Sequence, residues 1–234
     1  MPENTINFKI FRFDPENADL GPHYQTYNVK TEPGMTVIEA LFDILDNQDG
    51  TLAFRYSCRW GICGSCAVSL NGKCRLACNT QVSDYSGTLT IEPLPGLDII
   101  KDIVVDLEPF FDNYRKIKPY LVPKGTPDKE NIQMQEDVNL IEPHVKCILC
   151  AICEASCPVS WTSREKYIGP MALTKVYRFN RDTRDSGGKE RLEIVGDETG
   201  IWRCRTIFRC TEYCPKKIPI TEAIQFLKRR YFTD

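Results

Sequence analysis

Hydrophobic and polar residues alternate from Thr5 to Phe13, with Ile6, Phe8 and Ile10 on one side, which predicts a half-buried strand. After a turn-rich stretch, Asp14 to Pro22, the segment Tyr24 to Val29 carries a second strand signal, so the two predict a hairpin. The period then changes. Thr36-Val37-Ile38-Glu39 has the form of a capping box, and Val37, Ala40, Leu41, Ile44 and Leu45 recur at helical spacing until Asp49-Gly50. Ala67 to Leu70 and Lys73 to Ala77 flank Asn71-Gly72, a two-residue hairpin signal, and Thr88 to Ile91 supplies one more strand. Residues 1–105 therefore read as a small unit of mixed sheet and helix.

Leu107, Phe110, Phe111, Tyr114 and Ile117 keep a spacing of three to four, predicting a helix over Asp106 to Lys118 that Pro119, Pro123, Gly125 and Pro127 break. The polar, aperiodic stretch Val122 to Glu136 reads as surface linker, closing a connector over 106–136. From 137 to 234 the pattern is helical, with Pro170 to Phe179 and Ile220 to Lys228 the clearest helices, and predicts an all-α domain. The fold class expected is α+β.

Composition excludes several classes. The formal charge of −2, from 30 basic and 32 acidic residues, gives no global attraction to nucleic acid. No run approaches the roughly 18 apolar residues of a membrane span, and Ile103-Val104-Val105 is typical of the fragments present. Met1 to Thr5 lacks a basic and apolar leader pattern, so no signal peptide is expected. Neither His23 nor His144 sits in a catalytic motif, and Gly187-Gly188 is an isolated pair rather than a dinucleotide fingerprint. No catalytic residues are expected on this chain.

The 12 cysteines change the picture. A disulfide framework suits short exported chains, and tetrahedral zinc sites would have few histidines to draw on. Iron-sulfur clusters fit better. Cys58, Cys63 and Cys66 with Cys78 have the C-x4-C-x2-C spacing and later fourth ligand of a plant-type [2Fe-2S] site. Cys74 is the competing downstream thiol. A two-residue turn at Asn71-Gly72 pairs Ser69 with Cys74 and returns Cys78 beside Cys66, leaving Cys74 about 13 Å away at ~3.3 Å per residue. Cys78 is therefore the expected ligand and Cys74 a small apolar bystander.

Cys147, Cys150, Cys153 and Cys157-Pro158 form the bacterial ferredoxin run, whose fourth cysteine serves the other cluster. Cys204, Cys210 and Cys214-Pro215 repeat that spacing with Ile207 at the second position. The crossing rule assigns Cys147, Cys150, Cys153 and Cys214 to a [4Fe-4S] cluster. Cys157, Cys204 and Cys210 are left with three thiolates, which fits [3Fe-4S], with Ile207 at the vacant corner. A labile [4Fe-4S] with a non-cysteine ligand is the competing reading. Three clusters and no substrate chemistry read as an electron wire.

Arg55-x2-Cys58-Arg59, Cys63-Gly64-Ser65, Leu76-Ala77-Cys78, Pro93-Leu94-Pro95, Arg115 to Tyr120, Tyr167-Ile168-Gly169-Pro170 and the third cysteine group together resemble the iron-sulfur subunit of succinate dehydrogenase and fumarate reductase. The resemblance spans essentially the whole chain. It implies an N-terminal β-grasp ferredoxin domain and a C-terminal helical ferredoxin domain, peripheral on the cytoplasmic face of the inner membrane. The implied partners are a flavoprotein with covalent FAD and a membrane anchor, with haem b among the anchor's possible cofactors, and the implied route runs from flavin through [2Fe-2S], [4Fe-4S] and [3Fe-4S] to quinone. Cys66 stands where some relatives have Asp. At the quinone end, the resemblance implies Pro158, then a Trp where this chain has Thr162 preceded by Trp161, and a His where it has Arg205; Ile207 lies at the same end. These departures leave room for menaquinone. The rivals are a freestanding multi-cluster ferredoxin and the partner subunit of a related flavoprotein working mainly as a fumarate reductase.

Overall fold

The computed structural model describes residues 5–125, 129–163 and 166–233. Met1 to Asn4 and the predicted breaker Pro127 lie outside the described residues. In chain order the elements are β1 (Thr5–Arg12), β2 (His23–Lys30), α1 (Val37–Asn47), β3 (Ala67–Leu70), β4 (Lys73–Leu76), β5 (Thr88–Glu92), β6 (Ile99–Lys101) and β7 (Val104–Val105). Helices follow: α2 (Glu108–Lys116), α3 (Gln135–Val145), α4 (Ile152–Ala155), α5 (Pro158–Thr162), α6 (Pro170–Asn180), α7 (Gly188–Val195), α8 (Arg209–Glu212) and α9 (Ile220–Arg230). They form two compact units, one of residues 1–106 with 148–155, the other of 107–147 with 156–234.

In the first unit five strands pair in the order β2-β1-β5-β3-β4. The alternation of β1 buries Ile6, Phe8 and Ile10, and β1 runs antiparallel to β2 and parallel to β5. Helix α1 buries Val37, Ile38, Ala40, Leu41 and Ile44, and the Glu39 carboxylate accepts the Thr36 backbone N–H at 2.7 Å to fix its start. The Asn71-Gly72 turn pairs Ser69 with Cys74, the expected register, but β4 ends at Leu76 and Ala77 opens a single 3-10 turn.

The β6/β7 pair has no forerunner in the sequence pattern. Its strands are three and two residues long, too short to show alternation. Asp102, at φ 47°, makes the turn between them and is buried. Its carboxylate accepts the Arg12 Nε–H at 3.0 Å, the Phe13 N–H at 3.0 Å and the Ala53 N–H at 2.8 Å, so one side chain ties the short pair to the sheet.

The second unit is helical among its described residues, apart from an isolated bridge between Pro123 and Asp185. The start of the segment is held there, because the Val122 carbonyl accepts the Ser186 N–H at 2.8 Å, while Pro123, Lys124 and Gly125 stay exposed. Arg191 is the anchor there. It is fully buried, pairs with Asp185 at 2.6 Å, and donates to the carbonyls of Ile117, Lys118 and Tyr120. His144, buried in α3, sits 3.1 Å from the Thr174 hydroxyl of α6, so it is structural, whereas His23 is exposed.

Candidate metal centres

In the first unit, residues 58–66 wrap tightly because Arg59, Gly61 and Gly64 take left-handed φ values of 55°, 65° and 78°. Cβ crowding makes that conformation costly for arginine, of order 1–3 kcal/mol. The Arg59 guanidinium offsets it by lying 4.1 Å from the centroid of the Phe42 ring of α1. The wrap aims backbone N–H groups inward. Cys58 Sγ accepts from Trp60, Ile62 and Cys63 at 3.4, 3.3 and 3.2 Å, and Cys78 Sγ accepts from Gly61 at 3.2 Å. The Cys78 N–H in turn donates to Cys66 Sγ at 3.4 Å. Donors converging on sulfur suit thiolates that carry the negative charge of an iron-sulfur core.

The four sulfurs differ in surroundings. Burial raises the Cys63 thiol, but the Ser65 hydroxyl and nearby backbone groups outweigh it and bring the thiol down to about 6. Burial pushes the Cys66 thiol up to about 12; the Cys78 N–H opposes the shift and the Cys78 thiol adds to it. Cys66 and Cys78 form the inner side of the site, while Trp60 and Ile62, 83% and 65% exposed, form its outer rim. Cys74 lies in β4, buried, on the same side of the strand as Leu76.

In the second unit Cys157, Cys204 and Cys210 line one small pocket together with Pro158, Arg205 and Ile207. Cys157 precedes α5, with Pro158 at its first turn, and Cys210 lies in α8. Burial raises the Cys210 thiol, the Thr221 hydroxyl 3.5 Å away lowers it, and Cys204 and Cys157 raise it again. Ile207 is 45% exposed at the pocket and its neighbour Phe208 is 53% exposed. Trp161 is 43% exposed, which sets aside a buried structural role, and it lies outside the pocket's described lining. Lys228 is tied down: its ammonium donates to the Cys204 carbonyl at 2.9 Å.

Burial also raises the Cys214 thiol, against the N–H groups of Ile218, Lys216 and Lys217, and Cys147 raises it further. Cys150 and Cys153 belong to the 148–155 segment of the first unit. A repeat that spacing alone only hints at appears in the backbone. Leu149 and Ala151, two and four residues after Cys147, have φ 55° and 60°, and Thr206 and Phe208, two and four after Cys204, have φ 57° and 69°. Four non-glycine residues in left-handed conformation at matching places mark two loops built to one plan, a backbone form that suits holding an anionic guest. The donor sets and these loops fit iron-sulfur clusters.

Residues 7–112 match the family described as 2Fe-2S iron-sulfur cluster binding domain, and residues 144–218 match the 4Fe-4S dicluster domain. The chain is 41% identical over 230 residues to succinate dehydrogenase [ubiquinone] iron-sulfur subunit 1, mitochondrial, of Oryza sativa subsp. japonica, covering 97% of this chain and 82% of that protein. It is 40% identical over 226 residues to the succinate dehydrogenase iron-sulfur subunit of Coxiella burnetii, covering 95% of each. Among solved structures, a chain of the Mycobacterium smegmatis Sdh1 complex in the apo form superposes with a TM-score of 0.90 at 29% identity, covering 99% of this chain and 97% of that one.

Proposed function

Because this chain belongs to the family of succinate dehydrogenase iron-sulfur subunits, we propose that it relays electrons one at a time between the FAD of a flavoprotein subunit and a quinone at a membrane anchor. When bound, iron-sulfur clusters supply reversible one-electron chemistry. Cys58, Cys63, Cys66 and Cys78 would hold [2Fe-2S]; Cys147, Cys150, Cys153 and Cys214 would hold [4Fe-4S]; Cys157, Cys204 and Cys210 would hold [3Fe-4S]. The observation that carries this reading is the pair of loops built to one plan, of which the second has Ile207 where the first has Cys150.

The chain's own residues do the positioning. The N–H groups of Trp60, Ile62 and Cys63 stabilise negative charge on Cys58 Sγ, and the exposed Trp60 and Ile62 offer the flavoprotein an apolar rim beside that site. At the other end Arg205 stands exposed at the Cys157, Cys204 and Cys210 pocket, where a guanidinium suits a quinone oxygen. No helix among the described residues is long and apolar enough to cross a membrane, so membrane attachment runs through the anchor. On this reading the subunit is peripheral on the cytoplasmic face, and the acceptor pocket takes a quinone, ubiquinone or menaquinone. Purifying the intact complex tests the function: succinate-dependent reduction of a quinone analogue is expected, with EPR signals of all three clusters. A complex that contains the clusters but leaves them oxidised on adding succinate would overturn it.

A further inference from the structure

Gly64 follows Cys63 in the first cluster loop and lacks a side chain for two separate reasons. Its φ is +78°, a conformation that L side chains rarely adopt. A Cβ there would also lie 2.8 Å from Cys150 Cβ, 2.9 Å from the Ile148 carbonyl oxygen and 3.0 Å from Cys150 Cα, closer than real Cβ atoms come. The glycines of the first unit's other turns, Gly72 and Gly61, show only the first reason. Gly72 has φ +76° with nothing within 4 Å, and at Gly61 a Cβ would meet only Asn79, at 3.9 Å. The crowding at Gly64 cannot be relieved by turning a flexible side-chain end, because its partners are backbone atoms and a Cβ. The 148–151 backbone is itself committed, with Leu149 and Ala151 left-handed on either side of Cys150.

We propose that Gly64 is a positioning residue that seats Cys150 directly on the loop of Cys58, Cys63 and Cys66, setting the approach between the [2Fe-2S] and [4Fe-4S] sites. The inference rests on Cys150 being a [4Fe-4S] ligand. In the step it serves, one electron leaves the reduced cluster and enters the oxidised one, and no proton or atom is transferred. Electron tunnelling falls off exponentially with separation, so a displacement of a fraction of an ångström slows exchange while each cluster keeps its own thiolates and N–H donors. A glycine needed only to turn the loop would act on [2Fe-2S] alone.

The test compares Gly64→Ala with Gly72→Ala in the purified holo-complex, the second variant placing the same side chain at the same φ without the close neighbour. Two quantities are read by EPR: the reduction potential of each cluster, and the relaxation enhancement of the reduced [2Fe-2S] signal by reduced [4Fe-4S]. Gly64→Ala is expected to keep both signals near their original potentials and to weaken the enhancement several-fold, while Gly72→Ala leaves it unchanged. Unchanged enhancement in Gly64→Ala, or equal weakening in both variants, overturns the proposal. Should Gly64→Ala fail to assemble, pulsed EPR on the unsubstituted complex decides: [2Fe-2S] must couple more strongly to [4Fe-4S] than to [3Fe-4S], and the reverse order overturns the proposal. Cys150→Ser separates the underlying assignment, since an intact [4Fe-4S] signal in that variant would overturn the ligand reading itself.

Discussion

Ile207 stands between two left-handed residues, Thr206 and Phe208, as Cys150 stands between Leu149 and Ala151. A side chain at position 207 is therefore displayed by the same backbone that displays a thiol at 150. The isoleucine supplies no ligand, and its 45% exposure means that little packing depends on its branched shape. Replacing an exposed residue of this kind usually changes stability by no more than about 0.5 kcal/mol. Ile207→Cys should accordingly fold normally and take up a fourth iron. The oxidised [3Fe-4S] EPR signal should fall several-fold, with a new reduced-state [4Fe-4S] signal in its place. Retention of the full oxidised signal in a folded, loaded Ile207→Cys protein would show that the loop is not built to the plan of its partner.

The β3/β4 hairpin turns a spacing ambiguity into a register. With Ser69 opposite Cys74, the returning strand leaves Cys74 facing the core and carries Cys78 to within hydrogen-bonding reach of Cys66. Cys74→Ala removes one buried sulfur and should cost about 1 kcal/mol of stability with the [2Fe-2S] absorption spectrum intact, whereas Cys78→Ala should abolish that spectrum. The opposite pattern would mean a different ligand set. The α3/α6 contact makes a second prediction. Burial lowers His144 to about 4, and the Lys175 ammonium of α6 adds to the shift, with the Tyr177 ring centroid 4.4 Å from that of the imidazole. An unfolded histidine titrates near 6.5, so between roughly pH 6.5 and 4 the unfolded chain binds a proton that the native one refuses. Stability should fall as pH drops through that window, by at most about 3 kcal/mol. His144→Gln should flatten the dependence in acid titrations followed by helical circular dichroism, and parallel curves for the two proteins would remove His144 as the cause. These elements also show what was legible beforehand. Strand alternation, the capping box and the Asn-Gly turn are local signals and were read correctly in β1, α1 and the hairpin. Contacts such as Asp102 with Arg12, Arg191 with the Tyr120 carbonyl, and Gly64 with Cys150 join residues distant in sequence, and no local period encodes them. The cysteine groups were legible because ligand spacing is itself local, while the left-handed residues between them were not, since Leu149 and Phe208 carry no glycine-like mark.

A chain of net charge −2 concentrates positive charge near its C-terminus, where Arg203, Arg205, Arg209, Lys216, Lys217, Lys228, Arg229 and Arg230 face only Glu212 and Glu222. The structure divides these groups by task. Lys228 holds the Cys204 carbonyl, and Arg203 donates to the Ser163 hydroxyl at 2.8 Å, so both stabilise the unit from within. Arg205 and Arg209 are exposed and line the pocket of Cys157, Cys204 and Cys210, beside the exposed Ile207 and Phe208. Basic side chains around an apolar patch suit an anionic membrane surface, where each contributes about 1 kcal/mol, enough to orient docking against an anchor but not to replace it. On the proposed function Arg205 would also meet a quinone oxygen. A charge-assisted hydrogen bond of this kind is worth about 1.5–3 kcal/mol, so Arg205→Gln should reduce succinate-driven quinone reduction by roughly ten- to a hundredfold. Reduction of an artificial acceptor that takes electrons at the flavin should stay within about twofold of the unsubstituted complex, because that route ends before the pocket is reached. Raising the salt concentration should not reproduce the effect, since screening weakens a distributed surface attraction more than a direct hydrogen bond. Equal loss of both activities, or no loss of either, would take Arg205 out of the quinone end of the relay.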